Sequence, residues 1–142
     1  MKFKIATPER IMLETEVDSV SLPTTMGEIT VLPNHVPLVA NLVAGEIRYK
    51  QGNRENFFAV SGGVIEIKEH SNIVVLADTA EFGQEIDIDR AEAARAEAKK
   101  LMSQPKGEKE FVDAAVWLDR NSARVKVAKK HHTHKHQSTD NQ

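Results

Sequence analysis

The sequence predicts a mainly β protein with an α-helical appendage. An N-terminal β-sandwich or flattened barrel is followed by a C-terminal antiparallel two-helix hairpin. Three observations carry this prediction. From Lys2 to Asp78, short runs of Val, Ile, Leu and Thr alternate with turn residues, and no helical period appears. After Phe82-Gly83 the composition shifts to Ala, Glu, Arg and Lys, which are strong helix formers. Within that second part, Gln104-Pro105-Lys106-Gly107 interrupts the helical pattern once. The expected organisation is a β domain over 1–84, a helical hairpin over 85–130 and a disordered, histidine-rich tail over 131–142.

Taking the elements in order, Phe3-Lys4-Ile5-Ala6-Thr7 reads as a first strand, stopped by Pro8. Met12 to Ser21 alternates loosely, with Val17 and Val20 inward. Ile29-Thr30-Val31-Leu32 is a short strand before Pro33. Gly45 to Lys50 and Asn56 to Val60 flank the hairpin turn Gln51-Gly52-Asn53-Arg54. Ser61-Gly62-Gly63 is a tight turn into Val64 to Lys68. Glu69-His70-Ser71-Asn72 turns again into Ile73 to Ala77, apolar throughout and so a buried strand. About eight short strands fit a sandwich or barrel.

Asp87 is a good N-cap for a helix ending near Ser103. Glu92-Arg95 and Glu97-Lys100 are i,i+3 pairs that support an exposed helix. Its inward face would be Ala91, Ala94, Ala98 and Leu101. The second helix is expected from about Glu108 to Lys130, with an apolar stripe of Phe111, Ala115, Leu118, Ser122 and Val125. A short connection makes the two helices antiparallel neighbours. Alanine faces approach closely but bury little area, at ~0.8 kcal/mol per CH₂. The hairpin is therefore expected to be marginal and able to detach from the β domain.

The 142 residues suit one domain or a small domain with an appendage. Only 5% are aromatic, so Val, Ile, Leu and Ala must build the core. A net charge of -2 offers no field that would drive the chain onto nucleic acid or an acidic membrane. The absence of cysteine excludes disulfides and thiolate metal sites. Met1-Lys2-Phe3-Lys4-Ile5 leads into no long apolar run, so neither a signal peptide nor a membrane span is expected.

No self-contained catalytic constellation is found. His35 and His70, the histidines of the β domain, have no Ser, Cys or metal-ligand partner nearby in sequence. Ser61-Gly62-Gly63 lacks the helix start and Lys of a phosphate loop. His131, His132, His134 and His136 can bind a transition metal incidentally, and no functional metal site is assigned to them. Ile86-Asp87-Ile88-Asp89-Arg90-Ala91 admits two readings: an ordinary capped helix start, or an anion and ribose site built from helix amides, Arg90 and Asp87.

Several segments, in order and spacing, resemble the epsilon subunit of the bacterial F-type ATP synthase. They are Thr7-Pro8, Gly27-Glu28, Leu32 to Val39, Ser61 to Ile67, Leu76 to Glu81, and Glu85-Ile86-Asp87 with Arg90-Ala91-Glu92. The resemblance spans roughly residues 1 to 128. It implies a non-catalytic rotor subunit of the proton-translocating synthase, which couples c-ring rotation to ATP synthesis. Its implied partners are the gamma subunit, the c-ring and, in an extended state, the catalytic alpha/beta head. No nucleic acid is implied, and the membrane is met only through the complex, at the cytoplasmic face of the bacterial plasma membrane. The loop from Thr25 to His35 matches the ring-facing region, with Glu28 and His35 as c-ring contacts. Thr30, where many relatives have Gly, stiffens that loop.

The hairpin matches the regulatory part that inhibits ATP hydrolysis when extended. Arg120, Arg124, Lys126, Lys129 and Lys130 either meet acidic surfaces of the head or form a solvated face. Ile86, Asp87, Arg90 and Ala91 match an ATP-binding motif of some relatives, Glu81 an adenine-side residue, and Arg120 and Arg124 phosphate-side arginines. No cofactor is required on this reading, and ATP is a regulatory ligand. Glu97 and Asp113 are carboxylates where ATP-binding relatives are basic, so weak affinity is expected. The alternative reading is a stand-alone ATP-sensing module, resting on Asp87 and Arg90.

Overall fold

The computed structural model describes residues 1–104 and 107–140, with side chains through His131. Ten strands occupy the first part: β1 (Lys2–Ala6), β2 (Ile11–Glu16), β3 (Ser19–Thr24), β4 (Gly27–Val31), β5 (Leu38–Leu42), β6 (Gly45–Gln51), β7 (Arg54–Val60), β8 (Gly63–Ile67), β9 (Ile73–Ala77) and β10 (Ala80–Phe82). They form one sheet in the order β10-β7-β6-β3-β5-β8-β9-β1-β2, with β4 paired to β3. β3 and β5 share a single register pair, Thr24 with Leu42. The sheet turns over at that thin seam and becomes a sandwich. β1 and β9 run parallel, with Ile5 beside Val75, while the other pairings are antiparallel.

Alternation on each strand fills the interior. Phe3, Ile5, Ile65, Ile67, Ile73 and Val75 from one half meet Val20, Leu22, Ile47, Tyr49, Phe58 and Val60 from the other. The few aromatics stack across the middle: Phe3 lies 5.5 Å from Tyr49, Tyr49 6.2 Å from Phe58, and Phe58 4.3 Å from Phe82, ring centre to ring centre. Burial pushes the Tyr49 hydroxyl pKa upward, because desolvation disfavours the phenolate. Gly63 turns the chain into β8 at φ +139°, where a Cβ would lie 2.0 Å from the Leu76 carbonyl oxygen. Only glycine fits there.

The structure differs from the sequence expectation in three places here. The stretch Met12 to Ser21 is two strands, not one, because the chain bends at Val17-Asp18 to carry β3 into the other half. β5 and β10 complete ten strands in place of about eight; both are short and weakly patterned. The second helix, α2, runs Glu108–Asp140, where it was expected to stop near Lys130 and give way to a disordered tail. No Gly or Pro lies between 131 and 140, and extending an existing helix adds one hydrogen bond per residue without a new nucleus. Pro105, Lys106 and the last two residues lie outside the described residues, as do the side chains of His132, His134 and His136.

The first helix, α1 (Ile88–Ser103), starts at Asp87, whose carboxylate accepts from the amides of Asp89 and Arg90. α1 packs chiefly on α2, and α2 lies on β6 and β7. Ala91 and Ala98 are fully buried in α1 as expected, but Leu101 is exposed and Ala94 is only half-buried. In α2 the buried positions are Ala114, Asn121, Ala123, Val125, Val127 and Ala128, whereas Phe111 is exposed. Of the expected stripe, Val125 is buried and Ala115, Leu118 and Ser122 are half-buried, but the expectation assumed one contact face. α2 instead serves two neighbours, α1 and the sheet, and near its middle the buried arc widens to cover both. Glu92 pairs with Lys129 of α2 at 3.4 Å rather than with Arg95.

Candidate functional site

The surface that matters is the outer face of β6 and β7, where α2 docks. Because strand side chains alternate, Glu46 and Arg48 on β6 share a face with Phe57 and Ala59 on β7. Phe57 and Ala59 form a second small core with Ile86, Ala91, Val125, Val127 and Ala128. It is separate from the sandwich interior and contains one aromatic ring. Gly83, just before α1, allows the close approach: a Cβ there would come within 3.0 Å of Val127 and 3.3 Å of the Phe57 carbonyl oxygen.

Charges frame this small core. Lys130 of α2 donates to Glu46 Oε1 at 3.0 Å and stands 2.9 Å from its Oε2. The Glu46 side chain is only 6% exposed. Arg48 lies 3.7 Å from Glu46, 3.3 Å from Glu28 and 3.3 Å from Glu55, and donates to Ser21 at 3.4 Å. At the other end of the core, Arg124 Nε lies 2.9 Å from Glu81 Oε1, with its N–H aimed off the carboxylate, so this contact is an ion pair without a hydrogen bond. Asn121 is buried at α2 by donating to the Trp117 carbonyl and accepting from Arg124.

The sequence-predicted residues fall as follows. Glu81 and Arg124 are brought together directly. Ile86 and Ala91 lie in the small core beside Val125, next in sequence to Arg124. Asp87 caps α1, and its carboxylate is engaged by two backbone amides. Arg90 is exposed one turn into the helix. Arg120 is half-buried, with an enclosed Nε that has no hydrogen-bond partner among the described residues. Farther along the same face, Glu28 is exposed at the β3–β4 end and held by Arg48. The His35 amide donates to Ser71 Oγ at 2.8 Å, and its Nδ1 lies 2.7 Å from the Val36 carbonyl. Hydrogen bonds thus orient the backbone and ring of His35. A groove of about 460 Å³ lies between the far ends of the helices, lined by Leu101, Ala114, Trp117, Glu110 and Asp113. Among the described residues, no group of acidic or histidine side chains is placed to hold a metal.

Sequence reading missed Glu46. It sits at an outward strand position, where a carboxylate ordinarily faces water, and nothing local marks it as covered. The one signal was the acidic-basic alternation Glu46, Arg48, Lys50 on one strand face.

Fold and site together define a class: a β-sandwich that carries a helical hairpin through small side chains, with charges that hold rather than react. Comparison with known proteins narrows it. Residues 1–83 match the family model described as "ATP synthase, Delta/Epsilon chain, beta-sandwich domain", and residues 84–129 that of its long alpha-helix domain. The ATP synthase epsilon chain of Desulforamulus reducens is 40% identical over 127 residues, covering 89% of this chain and 96% of that one. That of Halalkalibacterium halodurans is 39% identical, covering 87% and 93%. A solved chain of the Euglena gracilis mitochondrial ATP synthase superposes with a TM-score of 0.76 at 22% identity, over 85% of this chain and 76% of that one. One from the Tetrahymena thermophila central stalk and c-ring gives 0.65 at 12%, over 89% and 95%. At those identities the likeness shows the fold. The chain belongs to the ATP synthase epsilon chain family, whose members are non-catalytic.

Proposed function

We propose that the chain is a central-stalk rotor subunit of a proton-translocating F-type ATP synthase, coupling c-ring rotation to ATP synthesis and restraining ATP hydrolysis through its helices. Its sandwich would bind the gamma subunit and, through Glu28 of β4, His35 and the segment between them, the c-ring. It would work at the cytoplasmic face of a bacterial plasma membrane, held there by the complex. Among the described residues, no helix is long and apolar enough to cross a membrane.

The observation that carries the regulatory part is the small core under α2. Mostly Ala and Val hold the hairpin to the sheet, so docked and released states differ by little energy, as a switch requires. Released, the helices and the basic residues Arg120, Arg124, Lys126, Lys129 and Lys130 become free to reach the catalytic head. The test is ATP hydrolysis by the assembled complex with and without residues 84–142. Truncation should raise the rate several-fold, and an unchanged rate overturns the inhibitory role.

Regulatory ATP binding is part of the same proposal, supported by the enclosed Arg120 Nε, which has no hydrogen-bond partner among the described residues, one helical turn before Arg124 of the Glu81–Arg124 pair. ATP would favour the docked form by bridging α1 and α2 residues. Calorimetry should give weak binding that Arg124→Ala abolishes; binding of equal strength in that variant rules these residues out.

A further inference from the structure

Two turns at one end of the sandwich lean on each other. Leu32-Pro33-Asn34-His35 follows β4, and the Leu32 carbonyl accepts from the His35 amide at 3.2 Å. Asn34 stands behind Pro33 with φ +69°, which makes this a type II turn. The second turn, Glu69–Ser71, joins β8 to β9. His70 and Ser71 there have φ +63° and +58°. Non-glycine residues seldom enter that left-handed region, and here two do so in succession. The bend turns Ser71 inward, where it is fully buried. Its Oγ accepts from the His35 amide at 2.8 Å, across 36 positions of sequence. Among the described residues, no other hydrogen bond ties residues 33–37 to a distant part of the chain. Leu32 and Val36, either side of that bond, are 56% and 71% exposed.

We propose that Ser71 is a positioning residue, whose buried hydroxyl fixes the 32–36 segment so that His35 and the apolar Val36 stand in one pose before a partner docks. The His35 amide already has the Leu32 carbonyl as acceptor, so Ser71 is not needed to satisfy it. What the second bond adds is a fixed place for the turn against the β8–β9 connection. Two strained residues persist there because that connection sets the hydroxyl at the amide. A segment already ordered loses less conformational freedom on binding, so Ser71 strengthens an interface without touching the partner. That this partner is the c-ring rests on the reading proposed above. The fixed turn itself is a property of this chain alone.

Amide exchange in the isolated full chain reads the turn. Ser71→Ala and Ser71→Gly both remove the hydroxyl, and the His35 amide should exchange about fivefold faster in each, the equivalent of one hydrogen bond. The two variants differ in backbone strain. Alanine keeps the penalty of φ +58° and glycine relieves it, so Ser71→Gly should melt above Ser71→Ala. Binding of each variant to a c-ring complex carrying gamma reads the consequence. Both should bind about fivefold more weakly, in step with exchange and not with melting. His35→Ala keeps its amide and serves as the reference for the ring contact itself. Unchanged exchange at His35, or affinity that follows melting temperature, overturns the inference. Weaker binding in His35→Ala with none in the Ser71 variants overturns it too, and leaves the ring reading standing. If none of the three variants weakens binding, the ring reading falls and the inference with it.

Discussion

Val127 offers the most direct measure of how weakly the hairpin is held. It is fully buried between α2 and the sheet, against Gly83, in the core made with Phe57, Ala59 and Ile86. Val127→Ala removes two methyl groups. At ~0.8 kcal/mol each the transfer loss is ~1.6 kcal/mol, and the cavity left between helix and strand raises this to about 2–3 kcal/mol. The released hairpin exposes residue 127 to water, so it loses nothing comparable. The gain in helix propensity from Val to Ala is shared by both states and cancels. The released-to-docked ratio should rise roughly thirty- to 140-fold, at 1.4 kcal/mol per tenfold. A donor–acceptor dye pair on cysteines introduced at the exposed Asn53 and Asp119 reads this ratio, the chain having no cysteine of its own. Val112→Ala, at a position 52% exposed on the same helix, serves as the control and should leave it unchanged. Melting of the sandwich should move little in either variant, because its interior is a separate cluster. A ratio in Val127→Ala that matches the control would refute the claim that this small core holds the hairpin down.

The sandwich has its own sensitive points. Gly63→Ala places a Cβ on the Leu76 carbonyl and forces β8 away from β9; a loss above ~3 kcal/mol and a drop in Tm of roughly 12 °C or more are expected by calorimetry. Gly62→Ala, at φ +80° with the Asp78 carboxylate at 3.2 Å and the Leu42 carbonyl oxygen at 3.7 Å, should cost about 1–2 kcal/mol. Tyr49 is the chain's one tyrosine, and its folded-state pKa lies above the ordinary 10.0. Its raised value stabilises the fold fully below pH 10, and this contribution is lost as pH rises through the folded value, where the unfolded chain already carries phenolate. Absorbance of tyrosinate should therefore appear late in an alkaline titration of the native chain, together with unfolding. Tyr49→Phe should remove that share of the pH dependence.

Much of this molecule was legible in the order of its residues. The change from β to α after Phe82-Gly83, the cap at Asp87 and the inward Val17 and Val20 follow from side-chain period and backbone chemistry, which act within a few residues. The positions Ala91 and Ala98 were read correctly for the same reason. Ile73 to Ala77, read as buried throughout, instead alternates, with Leu76 exposed. What failed involved contacts between distant segments. The α2 stripe caught Val125 but left out Ala123, Val127 and Ala128, because a helix buried on two sides has no single face to read. Phe111, the largest apolar residue assigned to it, is exposed because α2 there extends beyond the small core on the sheet.

The candidate site divides in the same way. Asp87, Arg90 and Ala91 were visible as a local motif, and Glu81 with Arg124 through resemblance. The enclosure of Glu46 was not. By sequence alone this chain is determined to be a sandwich followed by a helical hairpin, because hydrophobic period, turn residues and caps are local and strong. Only the tertiary structure decided which face of the sheet lies under α2, and hence which charges lose their water. Burial of a charge depends on a helix more than eighty residues away in the chain, and no pattern along β6 encodes that distance.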